Sequence, residues 1–295
     1  MKKFLMFLAF LCGVSNVSAT SSYKIITPFL PGAINNTLIV KTIPALENIT
    51  NFNIHQEIAP GAGGLIATNA FLNSKEPNRI LIATQNTLSI TPKLTEVKYT
   101  KSDFKPVALI SENYMCLAVS EKLNVNTFDD LLKLSKNTSL FYGTLLGVNS
   151  MEHLMFQYMS RVYEMKTEAV HYKSVNEALL ALSRNEIAMA MVPSVTCGNI
   201  PVPNIRIIGY STNAKLPSLP EVLHYNAYTV MVMPKNTSDE QVTNFANAVV
   251  KVWNDDRENL SKITVLPKTI LIGRQLDQYL DEQDRKWQKI FDKIK

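Results

Sequence analysis

The chain has 295 residues, of which 46% are apolar and 19% charged, with a formal charge of +5. That length is enough for two modest hydrophobic cores. The small positive balance, spread among acidic neighbours, gives no basis for a nucleic-acid surface.

Chain order begins with Lys2 and Lys3, an apolar run from Phe4 to Val14, and then Val17-Ser18-Ala19. A basic start, a short apolar stretch and a small-residue cleavage site read as a secretory signal over residues 1–19. The run falls well short of the roughly 20 residues that a bilayer-spanning helix needs. Cys12 invites a lipoprotein reading. However, Ala9-Phe10-Leu11 lacks a small residue directly before it, and cleavage there would cut the apolar run. The mature protein is therefore expected to be soluble and exported. It retains Cys116 and Cys197. An oxidising compartment permits a bridge between them, yet Cys116 sits in the apolar run Met115-Cys116-Leu117-Ala118-Val119 and reads rather as a small buried hydrophobe.

Beyond the signal, short apolar runs alternate with amphipathic stretches, the pattern of α/β layering. Strands are predicted over 24–29, 54–58, 80–84, 107–110, 115–120, 140–142, 169–172, 188–192, 205–210 and 228–233. Helices are predicted over 65–73, 127–136, 151–163 and 175–183. Thr127 with Asp130, and Ser238 with Gln241, have capping-box spacing; the second opens a helix reaching about residue 259. Leu276, Leu280, Trp287 and Phe291 place an amphipathic helix over 274–294. No internal repeat or low-complexity tract interrupts the pattern.

Six of the ten glycines fall in three short segments, each after an apolar run and before a helical stretch. These are Pro31-Gly32-Ala33, Pro60-Gly61-Ala62-Gly63-Gly64, and the segment from Gly143 to Gly147. Glycine allows tight turns and close approach of backbone N–H groups, and a following helix aims its positive end at the same place. Loops of this kind meeting in one cleft would form an anion receptor built from main chain. The alternative, that the glycines only let helix pack closely on strand, stays open.

Enzyme motifs are missing. There is no Gly-x-Ser-x-Gly elbow, no His or Cys pair at metal-ligand spacing, no Walker loop and no dinucleotide fingerprint. His153, just past the third segment, could face a cleft, but a surface or core role is the simpler reading. Paired carboxylates such as Asp129-Asp130 and Asp281-Glu282 read as solvated helix faces. The composition points to binding, with no cofactor or metal.

The order of these loops resembles the solute receptors of tripartite tricarboxylate transporters, often called the Bug family. The family's P-F-x-P-G-G-x-x-D is similar to Pro28-Phe29-Leu30-Pro31-Gly32-Ala33-Ile34-Asn35-Asn36. Its R-P-G-A-G-G-x-x-G is similar to Ala59-Pro60-Gly61-Ala62-Gly63-Gly64-Leu65-Ile66-Ala67. Asp103-Phe104-Lys105-Pro106-Val107 resembles D-F-x-P-V, and the segment from Tyr142 to Leu154 resembles Y-G-S-x-G-x-x-S-x-x-H-L. Val170-His171-Tyr172-Lys173-Ser174 stands where the family has V-P-Y-K-G, and Leu219-Pro220-Glu221-Val222 where it has L-P-x-V. The matches run through nearly the whole mature chain in order.

The resemblance implies an α/β, two-lobed type II periplasmic-binding-protein fold with a ligand cleft between the lobes. One lobe would comprise 20–106 and 213–295, the other 107–212. It also implies a monomeric periplasmic receptor that catalyses nothing. Such a receptor clamps a small carboxylate between lobes that close like a hinge and hands it to membrane permease subunits. A diverged orphan that signals to a membrane sensor is the competing role, and an exported enzyme on this scaffold a third. Projected here, main-chain amides around Gly32, Gly63 and Gly64 would hold one carboxylate, in first-lobe loops that also bring Pro31, Asn36 and Ala62. Thr84, Gln85, Asn149 and Ser150 would serve the other end, with Thr144, Tyr172 and Lys173 on the second lobe. Departures bear on the ligand. Ala33 replaces a glycine and Asn36 an aspartate, and Met191-Val192-Pro193-Ser194 lacks the family's acidic residue, which disfavours an α-amine. Lys173 favours an anion, if it faces the cleft. The 221–233 segment is shorter than the family's, so closure there is expected to differ.

Overall fold

A computed structural model describes residues 22–144, 147–213 and 215–294. The signal-peptide reading of residues 1–19 lies outside them. Among the described residues no helix is long and apolar enough to cross a membrane.

The first half begins with strand β1 (Ser22–Thr27), helix α1 (Ile34–Thr50), β2 (Asn53–Ile58), α2 (Leu65–Asn73) and β3 (Arg79–Thr84). β1 lies between β2 and β3, parallel to both, because each returns through a helix. β1 from Ile25 to Thr27 and β3 from Ile80 to Ala83 are buried without alternation since both sheet faces are covered there, whereas the edge strand β2 is mostly polar. Ile25, Ile80 and Ile82 enter one core with Leu38 and Ile39 of α1. Ile26, Leu81 and Ala83 enter another with Ala67 and Phe71 of α2. After β3 come a wide helical turn at Asn86–Ile90 and the one-turn helix α3 (Thr91–Leu94).

Strand β4 (Phe104–Ser120) is 17 residues long and joins the two halves. The sequence suggested two strands broken at 111–114. Instead, Ser111, Glu112, Asn113 and Tyr114 continue the ladder with β9 (Asn226–Pro234). Their polar side chains find partners: Ser111 Oγ donates to Asn35 Oδ1 (3.3 Å), Glu112 Oε1 accepts from Tyr279 Oη (2.7 Å), and Asn113 Oδ1 accepts from Ser194 Oγ (3.2 Å). Polar composition mimicked a loop where each group is satisfied in place. From Met115 onward β4 pairs instead with β7 (Met189–Pro193) and β8 (Ile205–Tyr210).

The second half contains α4 (Phe128–Asn137), β5 (Leu140–Thr144), α5 (Met151–Val162), β6 (Thr167–His171) and α6 (Val175–Arg184), followed by β7, α7 (Ser194–Cys197) and β8. The strand order through both halves is β2-β1-β3-β9-β4-β7-β5-β6, with β8 also on β4. Met115, Leu117, Met189 and Met191 face a core shared with α5, while Cys116, Ala118, Ala190 and Val192 face one shared with α6.

Cys116 is fully buried, as expected of a small hydrophobe, but it is also bridged to Cys197, with Cα atoms 6.3 Å apart. Antiparallel β4–β7 pairing sets Cys116 opposite Val192, and α7 folds back over β4. That closeness spans 81 positions of chain and could not be read from spacing.

The chain ends with α8 (Asp239–Asp255), α9 (Arg257–Ser261) and α10 (Gly273–Ile294). The single helix expected to about 259 breaks at Asp256. At Thr127 both halves of the capping box form. At Ser238 only one does: Ser238 Oγ accepts from Gln241 N (3.2 Å), while the Gln241 side chain donates to Tyr23 Oη and Asn78 Oδ1. α10 serves both halves. Leu276 and Leu280 join the α2-side core, and Trp287, Ile290 and Phe291 join the α5-side core.

Candidate functional site

A cleft of about 570 Å³ opens between the two halves, with the glycine loop on one wall and the β6–α6 turn on the other. The first wall is main chain. Gly61, Ala62, Gly63 and Gly64 have φ of +116°, +48°, +63° and +97°, four successive positive values leading into α2. Such a path is costly for any residue with a Cβ, which is why three of the four are glycine. No side chain caps α2; at its start Gly64 N donates to Gly61 O (3.0 Å) and Leu65 N to Ala62 O, while Ala62 and Gly63 precede that turn. Thr84, ending β3, completes this wall with Pro28, Phe29 and Leu30 at the end of β1.

The second wall is built from side chains. Parallel pairing sets Thr144 beside His171, and Thr144 Oγ1 lies 2.6 Å from His171 Nδ1. Tyr172 N donates to Thr144 O (2.8 Å), which fixes the turn where Tyr172 and Lys173 meet the cleft. Gly143 is inside β5, not in a loop. A Cβ there would lie 2.8 Å from Ile187 Cδ1 and 3.4 Å from the Tyr172 ring, so at this position glycine serves packing. Gly147 lines the cleft at φ +81°, and Leu145 and Leu146 lie outside the described residues.

Of the residues singled out in the sequence, the cleft brings together Ala62, Gly63, Gly64, Thr84, Tyr172 and Lys173. Pro31 and Gly32 are exposed beside Leu30. Asn36 is buried and its Oδ1 accepts from Gln56 Nε2 (2.9 Å). Gln85 Oε1 accepts from Tyr228 N (3.1 Å) and its amide reaches Met151 Sδ (3.3 Å), tying β9 to α5. Ser150 caps α5 by accepting from His153 N (3.3 Å). Asn149 is half-buried in a left-handed turn before it. Pro60, Gly61 and Gly147 of the glycine segments also line the cleft, as does His171, which was not singled out. His171 did carry a signal, as one of two positions, with Ser174, where the chain departs from V-P-Y-K-G.

No Asp or Glu lines the cleft among the described residues, whereas Lys173 and His171 do. Behind His171, the His153 ring is 5.8 Å away and its Nδ1 lies 3.3 Å from Tyr142 Oη. Burial, and then the nearby His171, lower the pKa of His153. Burial pushes the Tyr142 hydroxyl up to about 12. Glu152, in the first turn of α5, is buried with Oε2 unpartnered, and burial raises its pKa. Among the described residues no group of three or more His, Cys, Asp or Glu could hold a metal.

A two-lobed α/β frame with a cleft between its halves is the fold of the periplasmic solute-binding proteins. A family model described as the tripartite tricarboxylate transporter family receptor matches residues 51–295, and the chain belongs to that family. Solved structures agree in fold. A TctC solute-binding protein from Polaromonas superposes with a TM-score of 0.73 at 18% identity, covering 94% of this chain and 100% of that one. An adipate-bound protein of R. palustris gives 0.78 at 19% identity, covering 95% and 98%. MatC of Rhodopseudomonas palustris with bound malate gives 0.73 at 17%, covering 92% and 99%. No curated protein sequence matches this chain.

Proposed function

We propose that the protein is an exported receptor that captures a small carboxylate in the cleft, leaves it chemically unchanged and delivers it to a membrane permease. One observation carries this reading: a glycine loop opening a helix lines the same cleft as Lys173, and no carboxylate lines it among the described residues. Main-chain donors at a helix start and a lysine both favour an anion, while nothing there would offset the charge of an amine. The amides of Ala62 and Gly63, with Thr84, would take one carboxylate, and Tyr172 and Lys173 the other end. Support for the ligand class comes from family membership and from the adipate and malate held by two proteins of the same fold.

Two lobes would close on the ligand as a monomer; Val107 to Tyr114, which pair or pack with the first half, favour a boundary after Tyr114 and not at the 106/107 expected from the sequence. The exchange of partners along β4 after Tyr114 favours a hinge there. Because α10 packs on both halves, closing would require its far end to slide or bend against α5.

A thermal-shift screen of residues 20–295 against mono-, di- and tricarboxylates, amino acids and neutral sugars tests the reading. A carboxylate at 100 times its Kd should add about 2.7 kcal/mol, a rise of roughly 5–10 °C for a chain of this size. Shifts produced only by amines or sugars would overturn it.

A further inference from the structure

His171 ends β6 on the cleft wall, directly before Tyr172 and Lys173. Its Nδ1 is engaged by Thr144 Oγ1 at 2.6 Å, and Nε2 has no hydrogen-bond partner among the described residues. The ring is therefore held in place with one nitrogen available to a ligand. Building on the receptor reading above, we propose that His171 is a ligand-contacting group that, when protonated, acts beside Lys173 as a second cation and tightens capture of a dicarboxylate in acid.

The groups around the ring leave that role to His171. From β5 it meets Thr144, and beyond it Tyr142. From α5 it meets His153, with Glu152 next in chain and buried. On its own strand, Glu168 is held by Ser139 Oγ at 3.1 Å. In the turn toward α6, Glu177 accepts from Lys173 N at 3.0 Å and so is engaged at the helix start. The facing glycine loop carries no charge.

Two imidazoles this close do not both charge easily. His153 is the buried member, and its charged form is disfavoured by burial and by His171. A proton taken up by the pair therefore resides on the cleft ring. There Thr144 Oγ1 accepts from Nδ1–H and Nε2–H is free to donate to a carboxylate. In an empty cleft a charged His171 and Lys173 repel each other, and a bound dianion removes that penalty, so proton uptake and capture reinforce each other.

An anion that raises the midpoint of a contacting imidazole by about one unit binds about tenfold tighter to its protonated form. Affinity therefore rises as the ring gains its proton and levels off once the proton is lost. A dianion can use both cations, so its dependence should be steeper than that of a monocarboxylate.

Calorimetric titration with adipate, malate and acetate between pH 5.5 and 8 tests this on the wild type, His171→Gln and His171→Arg. The wild type should bind the best of the dicarboxylates about three- to tenfold tighter at the acid end. His171→Gln should lose the pH dependence, whatever its affinity at pH 8. His171→Arg should bind tightly throughout. Titration of the ligand's own carboxyls is common to all three chains, so the difference between chains is the readout. An NMR titration of the wild-type His171 ring, needing no variant, should show its midpoint rising when the bound dicarboxylate is added. Equal profiles in wild type and His171→Gln, or an unmoved ring midpoint, overturn the proposal and leave the receptor reading standing. Binding of no carboxylate at any pH overturns both.

Discussion

The two walls of the cleft are made by different physics. On the first, the ligand would meet main chain. Gly61, Gly63 and Gly64 are there because positive φ is required, and the donors they present do not titrate. On the second it would meet side chains whose aim depends on support from behind, by Thr144 for His171 and by the space at Gly143 for Tyr172. The same residue type thus has two uses in one molecule: conformation at 61–64 and close packing at 143. A wall of amides would hold an anion at any pH, while the opposite wall would set how strongly its charge is answered. The two halves also differ in how they are secured. The first sheet lies between helices on both faces, whereas the α6 side of the second carries the Cys116–Cys197 bridge.

The sharpest way to break the comparison is to remove that bridge. Replacing both cysteines by alanine should cost about 2–4 kcal/mol, as expected for a cross-link closing a long loop. The second half should open first, seen as loss of hydrogen-exchange protection in β7 and β8 before β1 and β3. Uniform loss of protection in both halves would show that the bridge secures the whole chain. Next in size is Gly63→Val. A Cβ at Gly63 comes no nearer than 4.0 Å to Asn86 Nδ2, so space is available, but φ of +63° is hard for a β-branched residue. The loop would move, and carboxylate affinity should fall by up to about 150-fold, given about 1–3 kcal/mol for such strain. Melting should still be cooperative. Unchanged affinity would mean that the loop only joins strand to helix.

How much of this was legible in the residues depends on how local each cause is. α2 is read as 65–73 and β8 as 205–210, because glycine, apolar run and polar break fall together at their ends. The glycine loop is legible for the same reason, since the φ demand belongs to the residue itself. β4 was divided because Ser111, Glu112 and Asn113 look like a turn; their partners, including Asn35, Tyr279 and Ser194, are remote in sequence. Side-chain direction was equally hidden. Asn36, Gln85, Thr144 and Ser150 have the chemistry of ligand groups, and in the folded chain Gln56, Tyr228, His171 and His153 engage them. Residue type tells what a group can bond, and only the fold tells which partner reaches it first.

The charge on the second wall comes next in expected effect. Lys173→Met keeps the length of the side chain and removes its cation. Carboxylate affinity should fall about tenfold, in line with roughly 1.5 kcal/mol for a charge-assisted bond in a solvent-reached cleft. Melting temperature of the free protein should hardly move, because Lys173 is exposed. A loss as large as that of Gly63→Val would reverse the ranking of the walls. A loss below twofold would place Lys173 outside the contact.

The smallest effect concerns Glu152, which sits beside His153 on α5. Burial favours its neutral form, so its pKa in the folded chain lies above the ordinary value near 4.5. The folded state then binds more protons than the unfolded one across the window between the two values. Stability due to this group is therefore complete in acid and declines as pH rises through that window. Glu152→Gln keeps the shape and removes the buried charge, along with the unpartnered Oε2. At pH 7 the variant should be about 1 kcal/mol more stable, a rise of roughly 2–4 °C, and at pH 4 the difference should vanish. Calorimetry at the two pH values decides it. If the glutamine variant melts lower at pH 7, the carboxylate is held there as an anion by α5's first turn, and the second half is more strongly supported from behind its wall than its contacts suggest.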